Sequence, residues 1–235
     1  MKTLLTFLTV VFIAFGPLHG QESKDFSMMP SNYFVGNSSY SLKKGQAYYA
    51  NTWLFFNDFF YGITDHISVG TGMMPLFLLD GAPTPVWIKA KMAYPIKKNM
   101  FNVSTGMIGS KVLDDEVTTY SMSFFAGFTV GEPRTNLSIN YYYSGLGDKN
   151  TESFFMEDNH IINLSGRIGI TPRSFIISDN FFVINKTGSL HLIGVQTLFQ
   201  GLILDYGLLI PLNPPVEHFY AFPYLGVKIP IGKNW

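Results

Sequence analysis

Polarity that alternates residue by residue, in segment after segment of roughly ten residues, most constrains what this chain can fold into. From Tyr120 to Val130, Tyr120, Met122, Phe124, Ala126, Phe128 and Val130 share one face, opposite Thr119, Ser121, Ser123, Gly127 and Thr129. A strand points successive side chains to opposite sides, so this pattern makes one greasy face and one polar face. Leu137, Ile139, Tyr141 and Tyr143 repeat it against Asn136, Ser138, Asn140, Tyr142 and Ser144. It recurs around Val86 to Tyr94, Ile162 to Ile170, Leu202 to Ile210 and Leu225 to Ile231. Charged residues within these segments, Lys89, Lys91, Arg167, Asp205 and Lys228, fall on the less apolar face.

Those two faces need two different surroundings. Only 14% of the residues are charged, against about 25% in ordinary soluble domains. Hydrophobic residues make up 47% and aromatic ones 16%. The strand faces therefore call for lipid on one side. A membrane helix does not meet the need, because the best later candidate, Leu198 to Leu212, is broken by Gln200, Gly201, Asp205 and Gly207. A closed antiparallel β-barrel does, since it satisfies every backbone group between strands and leaves no edge. Formal net charge is zero with no basic run, which argues against nucleic acid as a partner. The absence of cysteine removes disulfides, thiolate metal sites, a cysteine nucleophile and a lipoprotein anchor.

Residues 1–20 read as a cleaved signal peptide: Lys2, an apolar run from Leu4 to Phe15, and a small residue, Gly20, before Gln21. Residues 21–31 are then an N-terminal periplasmic segment, and residues 32–235 the barrel, in the cell outer membrane of a Gram-negative organism. About twelve strands are expected, with ten as the lower alternative: Asn32 to Leu42, Gln46 to Phe60, His66 to Leu76, Thr84 to Tyr94, Met100 to Ser110, Val117 to Val130, Thr135 to Ser144, His160 to Ile170, Ser174 to Val183, Ser189 to Leu198, Gly201 to Ile210 and Phe219 to Ile231. Asn37, Ser38 and Ser39 blur the first, and Asp179 with Asn180 the ninth. Alternate connections differ in length, as short periplasmic turns and longer outer loops require. Lys43 to Gly45, placed outside, is the short exception. Both termini then lie in the periplasm. The 13 tyrosines and 22 phenylalanines, many near segment ends, suit aromatic girdles.

Three stretches carry a resemblance: Lys43-Lys44-Gly45-Gln46-Ala47-Tyr48-Tyr49, then Tyr61-Gly62-Ile63-Thr64-Asp65-His66-Ile67-Ser68-Val69-Gly70, and the aromatic Trp235 at the end. The chain resembles the small outer-membrane β-barrels of Bacteroidota-like Gram-negative bacteria. That resemblance implies outer-membrane lipid and the barrel-assembly machinery as partners, the latter reading the terminal aromatic. It implies no common activity, because the group has none.

Candidate chemistry is sparse. Some barrels of similar build are lipid hydrolases using a serine activated by histidine, and His66 with Ser68 has the spacing for it. Its position beside an inner turn favours a plain turn histidine. His160, His191 and His218 are expected as scattered rim residues, Asp114, Asp115 and Glu116 as a solvated loop tip, and the Asn37 and Asn185 glycosylation-type triplets as idle. No catalytic residue, metal site or cofactor is expected. Lys89, Lys91, Arg167, Asp205 and Lys228 should face the lumen, which is either open and anion-tolerant or plugged, with these charges bonded internally. The leading expectation is a non-enzymatic outer-membrane barrel, a narrow pore or a structural surface protein. An outer-membrane lipid hydrolase and a secreted soluble β-sandwich binding module are the alternatives.

Overall fold

A computed structural model describes residues 31–79, 82–113, 119–148, 157–184, 188–212 and 220–232. The signal segment 1–20, most of the periplasmic segment, Asp114 to Glu116, the Asn185 triplet, His218 and Trp235 lie outside the described residues.

Each two-faced segment pairs with its neighbours, and the sheet closes on itself. The strands are β1 (Ala47–Thr52), β2 (Phe56–Gly62), β3 (Ile67–Met73), β4 (Thr84–Lys97), β5 (Phe101–Leu113), β6 (Thr119–Glu132), β7 (Thr135–Asp148), β8 (Glu157–Gly169), β9 (Ser174–Val183), β10 (Gly188–Phe199), β11 (Leu202–Leu212) and β12 (Phe222–Ile231). All pairings are antiparallel between consecutive strands, and β1 closes onto β12 through Ala47 opposite Ile231. The expected closed barrel of twelve strands is what forms, and the two-sheet sandwich is overturned by this single cyclic order. One turn of helix, Pro75–Leu79, follows β3.

Register keeps the greasy residues together on the outside. Phe128 lies opposite Ile139 and Val130 opposite Leu137, the kind of cross-strand pair that stabilises a sheet. Ile88 is 62% and Ile168 58% exposed on that outer face. The buried apolar cluster sits inside the barrel instead, where Tyr33, Phe34 and Leu42 meet Phe175, Ile177 and Tyr224.

Two expectations about the first sixty residues are corrected. Asn32 to Leu42 is not a wall strand; it lies inside the lumen. Gln46 to Phe60 is not one strand but two, β1 and β2, joined by a turn in which Trp53 and Leu54 adopt φ of 53° and 64°. One strand is lost and one gained, so the total and the phase of every later strand are unchanged. Bulky residues rarely adopt positive φ, and no glycine or proline announces the turn. It holds because Asn51 Oδ1 accepts the Leu54 N–H at 3.1 Å and Trp53 Nε1 donates to Pro223 O at 2.7 Å.

The correction also moves the loop-length exception: Lys43 to Gly45 leaves the outer end, and the three-residue turn Trp53 to Phe55 becomes the short connection there. Gly45, at φ 82°, turns the chain from the lumen into β1, and its N–H donates to Gly62 O at 2.9 Å. Lys43 to Gly45 thus lies at the end of the barrel that carries the short turns, beside Ile63 to His66.

Candidate functional site: the occupied lumen

The segment Ser31 to Leu42 folds back on itself rather than extending. Tyr33 N–H donates to Gly36 O at 2.9 Å and Ser38 N–H to Ser31 O at 3.1 Å. With so few internal bonds, its remaining peptide groups need partners, because a buried unpaired peptide group costs as much as a lost hydrogen bond. The barrel wall supplies them.

Three of the lumenal cations are committed to this main chain. Lys91 Nζ donates to Ser31 O, Ser38 O and Tyr40 O at 3.0, 3.3 and 3.0 Å. Lys228 Nζ donates to Tyr33 O at 2.7 Å and pairs with Asp205 Oδ2 at 2.8 Å. Arg167 Nη2 donates to Asn32 O at 2.9 Å, with its guanidinium 5.8 Å from the Tyr33 ring and 5.4 Å from the Phe175 ring. On the acceptor side, Asp179 Oδ2 takes the N–H groups of Val35 and Gly36 at 2.9 and 2.7 Å. Its other oxygen accepts from Asn163 Nδ2 at 2.8 Å and Ser165 Oγ at 2.5 Å. Gly36 is required here: a Cβ would stand 2.4 Å from Asp179 Oδ1.

Side chains complete the seal. Tyr33 Oη reaches Asn136 Oδ1 and Ser138 Oγ, both at 2.6 Å. Ser39 bonds Thr129 Oγ1 through its N–H at 2.7 Å and Ser104 through its hydroxyl at 2.8 Å. Tyr40 Oη donates to Gly131 O at 2.6 Å, Asn140 Nδ2 to Asn37 O at 2.7 Å, and Asn32 Nδ2 to Tyr48 Oη at 2.8 Å. Burial pushes the Tyr33 phenol well above its ordinary value and raises that of Tyr40, so both stay neutral donors. A cavity of about 20 Å³ remains among Asn37, Ser68, Lys89 and Lys91, room for a water but not for a solute.

Of the five charges expected to face the lumen, four thus form the cradle of the plug: Lys91, Arg167 and Lys228 directly, Asp205 through Lys228. Asp205 Oδ1 also accepts from Gln196 Nε2 at 2.7 Å. Lys89 stands apart, bonded to Asp58 Oδ1 at 2.9 Å and lying 5.0 Å from the Phe60 ring. A plugged lumen was one of the two readings of the sequence, but Asp58, Asp179 and the segment that forms the plug were missed; the Asn37-Ser38-Ser39 run that breaks strand alternation is the one signal that could have found that segment.

The other candidates do not converge. His66 directs Nδ1 to Ala93 O at 3.2 Å and its ring toward Tyr94, 5.0 Å away, whereas Ser68 is buried on the lumenal face. His160 bonds Tyr141 on the outer face. His191 lies between Ser189 Oγ and Asn180 Oδ1, each at 2.9 Å. Among the described residues no group of three His, Asp or Glu side chains comes together to hold a metal.

Fold and lumen together define a small porin-like barrel of twelve strands occupied by a segment of its own chain. Among solved structures it is similar to the KdgM porin in complex with disordered oligogalacturonate, with a TM-score of 0.54 at 5% sequence identity, covering 79% of this chain and 97% of that one. The likeness is one of fold. No protein-family model and no curated protein sequence matches the chain.

Proposed function

We propose that this chain is a non-catalytic, pore-like barrel of the outer membrane, held shut at rest by residues 31–42. The apolar outer face supports a membrane setting, with outer-membrane lipid as its surroundings and the barrel-assembly machinery as its partner during insertion. One observation carries the closed state: Lys91, Arg167, Lys228 and Asp179, the charges a permeant ion would meet, are spent on the backbone of the plug. The galacturonate ligand of the similar porin is not carried over, because these cations already have partners.

Replacing residues 31–42 with a glycine-serine spacer of equal length tests the reading in planar bilayers. The native protein should be silent and the spacer variant should conduct. Selectivity should lean mildly toward anions, since Lys89, Lys91, Arg167 and Lys228 would then face Asp58, Asp179 and Asp205. Steady conductance by the native protein, or silence from a folded spacer variant, would overturn it, and the second result would leave a structural surface barrel.

A further inference from the structure

The wall is uneven. β4 to β8 run 13 or 14 residues, whereas β1, β2 and β3 have only 6, 7 and 7. At about 3.3 Å per residue and a tilt of about 45°, six residues climb roughly 14 Å, against an apolar band about 25 Å tall. The β1–β2 tip therefore ends within the band, and its composition agrees: Trp53, Leu54 and Phe55, with Leu54 77% and Phe55 46% exposed. Polar groups facing outward near the tip are bonded within the hairpin. Tyr49 and Asn51 both donate to Asn57 Oδ1, and Asn57 Nδ2 donates to Phe55 O, as surroundings without water demand. Leu76 and Phe77, in the helical turn after β3, are exposed as well.

Behind this low wall the lumen is aromatic. Trp53 packs 5.5 Å from Tyr224 and 6.1 Å from Phe56, and Phe56 lies 6.2 Å from Trp87. At their foot, Asp58 Oδ1 accepts from Trp87 Nε1 at 2.6 Å and from Lys89 Nζ at 2.9 Å, a pair that keeps part of its surface open. We propose that the notch over β1 and β2 is a lateral opening through which the acyl chain of a membrane lipid enters the upper lumen and rests on Trp53, Phe56 and Trp87. The occupant is an acyl chain because the notch is continuous with the apolar outer face, so what coats that face reaches the rings without crossing water. This rests on the membrane reading above.

Three tryptophans, Trp53, Trp87 and Trp235, make the test direct. The W53F/W235F protein, reconstituted in phosphatidylcholine vesicles with mid-chain bromine, reports Trp87 alone. Two reference proteins carry a single tryptophan in the W53F/W87F/W235F background, I139W on the outer face and F181W in the lumen behind the taller β9. Lateral entry predicts that Trp87 fluorescence is quenched by at least half as much as in I139W, with F181W little affected. Quenching of I139W with Trp87 no more affected than F181W would overturn the lateral opening and spare the membrane reading. Absence of quenching in I139W would overturn both.

Discussion

Lys91 and Gly36 show how single residues decide whether the lumen is filled. Replacing Lys91 with methionine keeps most of the volume but takes the Lys91 bond from three plug carbonyls, of which Ser31 O keeps the Ser38 N–H. At 1–3 kcal/mol for each buried polar group left unpaired, partly offset by relaxation, the plug should loosen by about 3 kcal/mol. Hydrogen exchange of residues 31–42 should accelerate by about two orders of magnitude while the β6–β7 amides stay protected; unchanged plug exchange would refute the role given to Lys91. Gly36→Ala acts from the other side, because its Cβ must displace Asp179. Brief conductance bursts should appear in planar bilayers where the native protein shows none, and a silent G36A protein would show that the Asp179 contact can be spared. The lumenal placement of Lys91, Arg167, Asp205 and Lys228 was legible because their strands alternate cleanly. Asp179 was not, since Ser178, Asp179 and Asn180 are polar on both faces and give no phase. Asp58 was hidden the same way, among aromatic pairs such as Phe55-Phe56 and Phe59-Phe60 that fall on both faces.

At the scale of elements, a wall strand and a lumenal plug draw on the same residue types, and only their surroundings tell them apart. Residues 31–42 are the right length for a strand, but Ser, Asn and Gly suit a chain that bends and is bonded on every side by a polar lumen. The β1–β2 turn was equally unreadable, for it uses Asn51 and tryptophan packing in place of glycine. Asn51→Ala removes two hydrogen bonds, one from Leu54 N–H and one to Asn57 Oδ1, and should therefore cost about 2 kcal/mol at the usual worth of each, expressed as faster exchange of the Leu54 amide with the rest of the barrel unchanged. Equal protection of Leu54 in both proteins would mean that the bonds of Trp53 to Pro223 and Leu225 and of Phe55 to Thr52 hold the tip without Asn51. The later hairpins were legible because alternation, clean in all but the ninth strand, and short turns of Gly, Pro, Asn and Arg coincide from Tyr61 onward.

The whole molecule is a closed cylinder whose outer face is apolar and whose lumen holds residues 31–42 of its own chain. Closure between β1 and β12 leaves no strand edge from which unfolding can start. Unboiled protein in detergent should accordingly migrate differently on gels from boiled protein, and identical migration would count against a closed barrel. The barrel class was legible from alternation, low charge and the missing helix; the state of the lumen was not, because an open and a filled interior both need polar inward faces. The central claim, that residues 31–42 close the pore, is tested most directly by tethering them. Ser39 Oγ and Ser104 Oγ are 2.8 Å apart, and the chain has no cysteine of its own, so S39C/S104C adds one disulfide between plug and wall. Introduced together with K91M, that pair should make conductance in planar bilayers depend on redox state, silent when oxidised and conducting after reduction. Equal conductance in the two states would contradict the account.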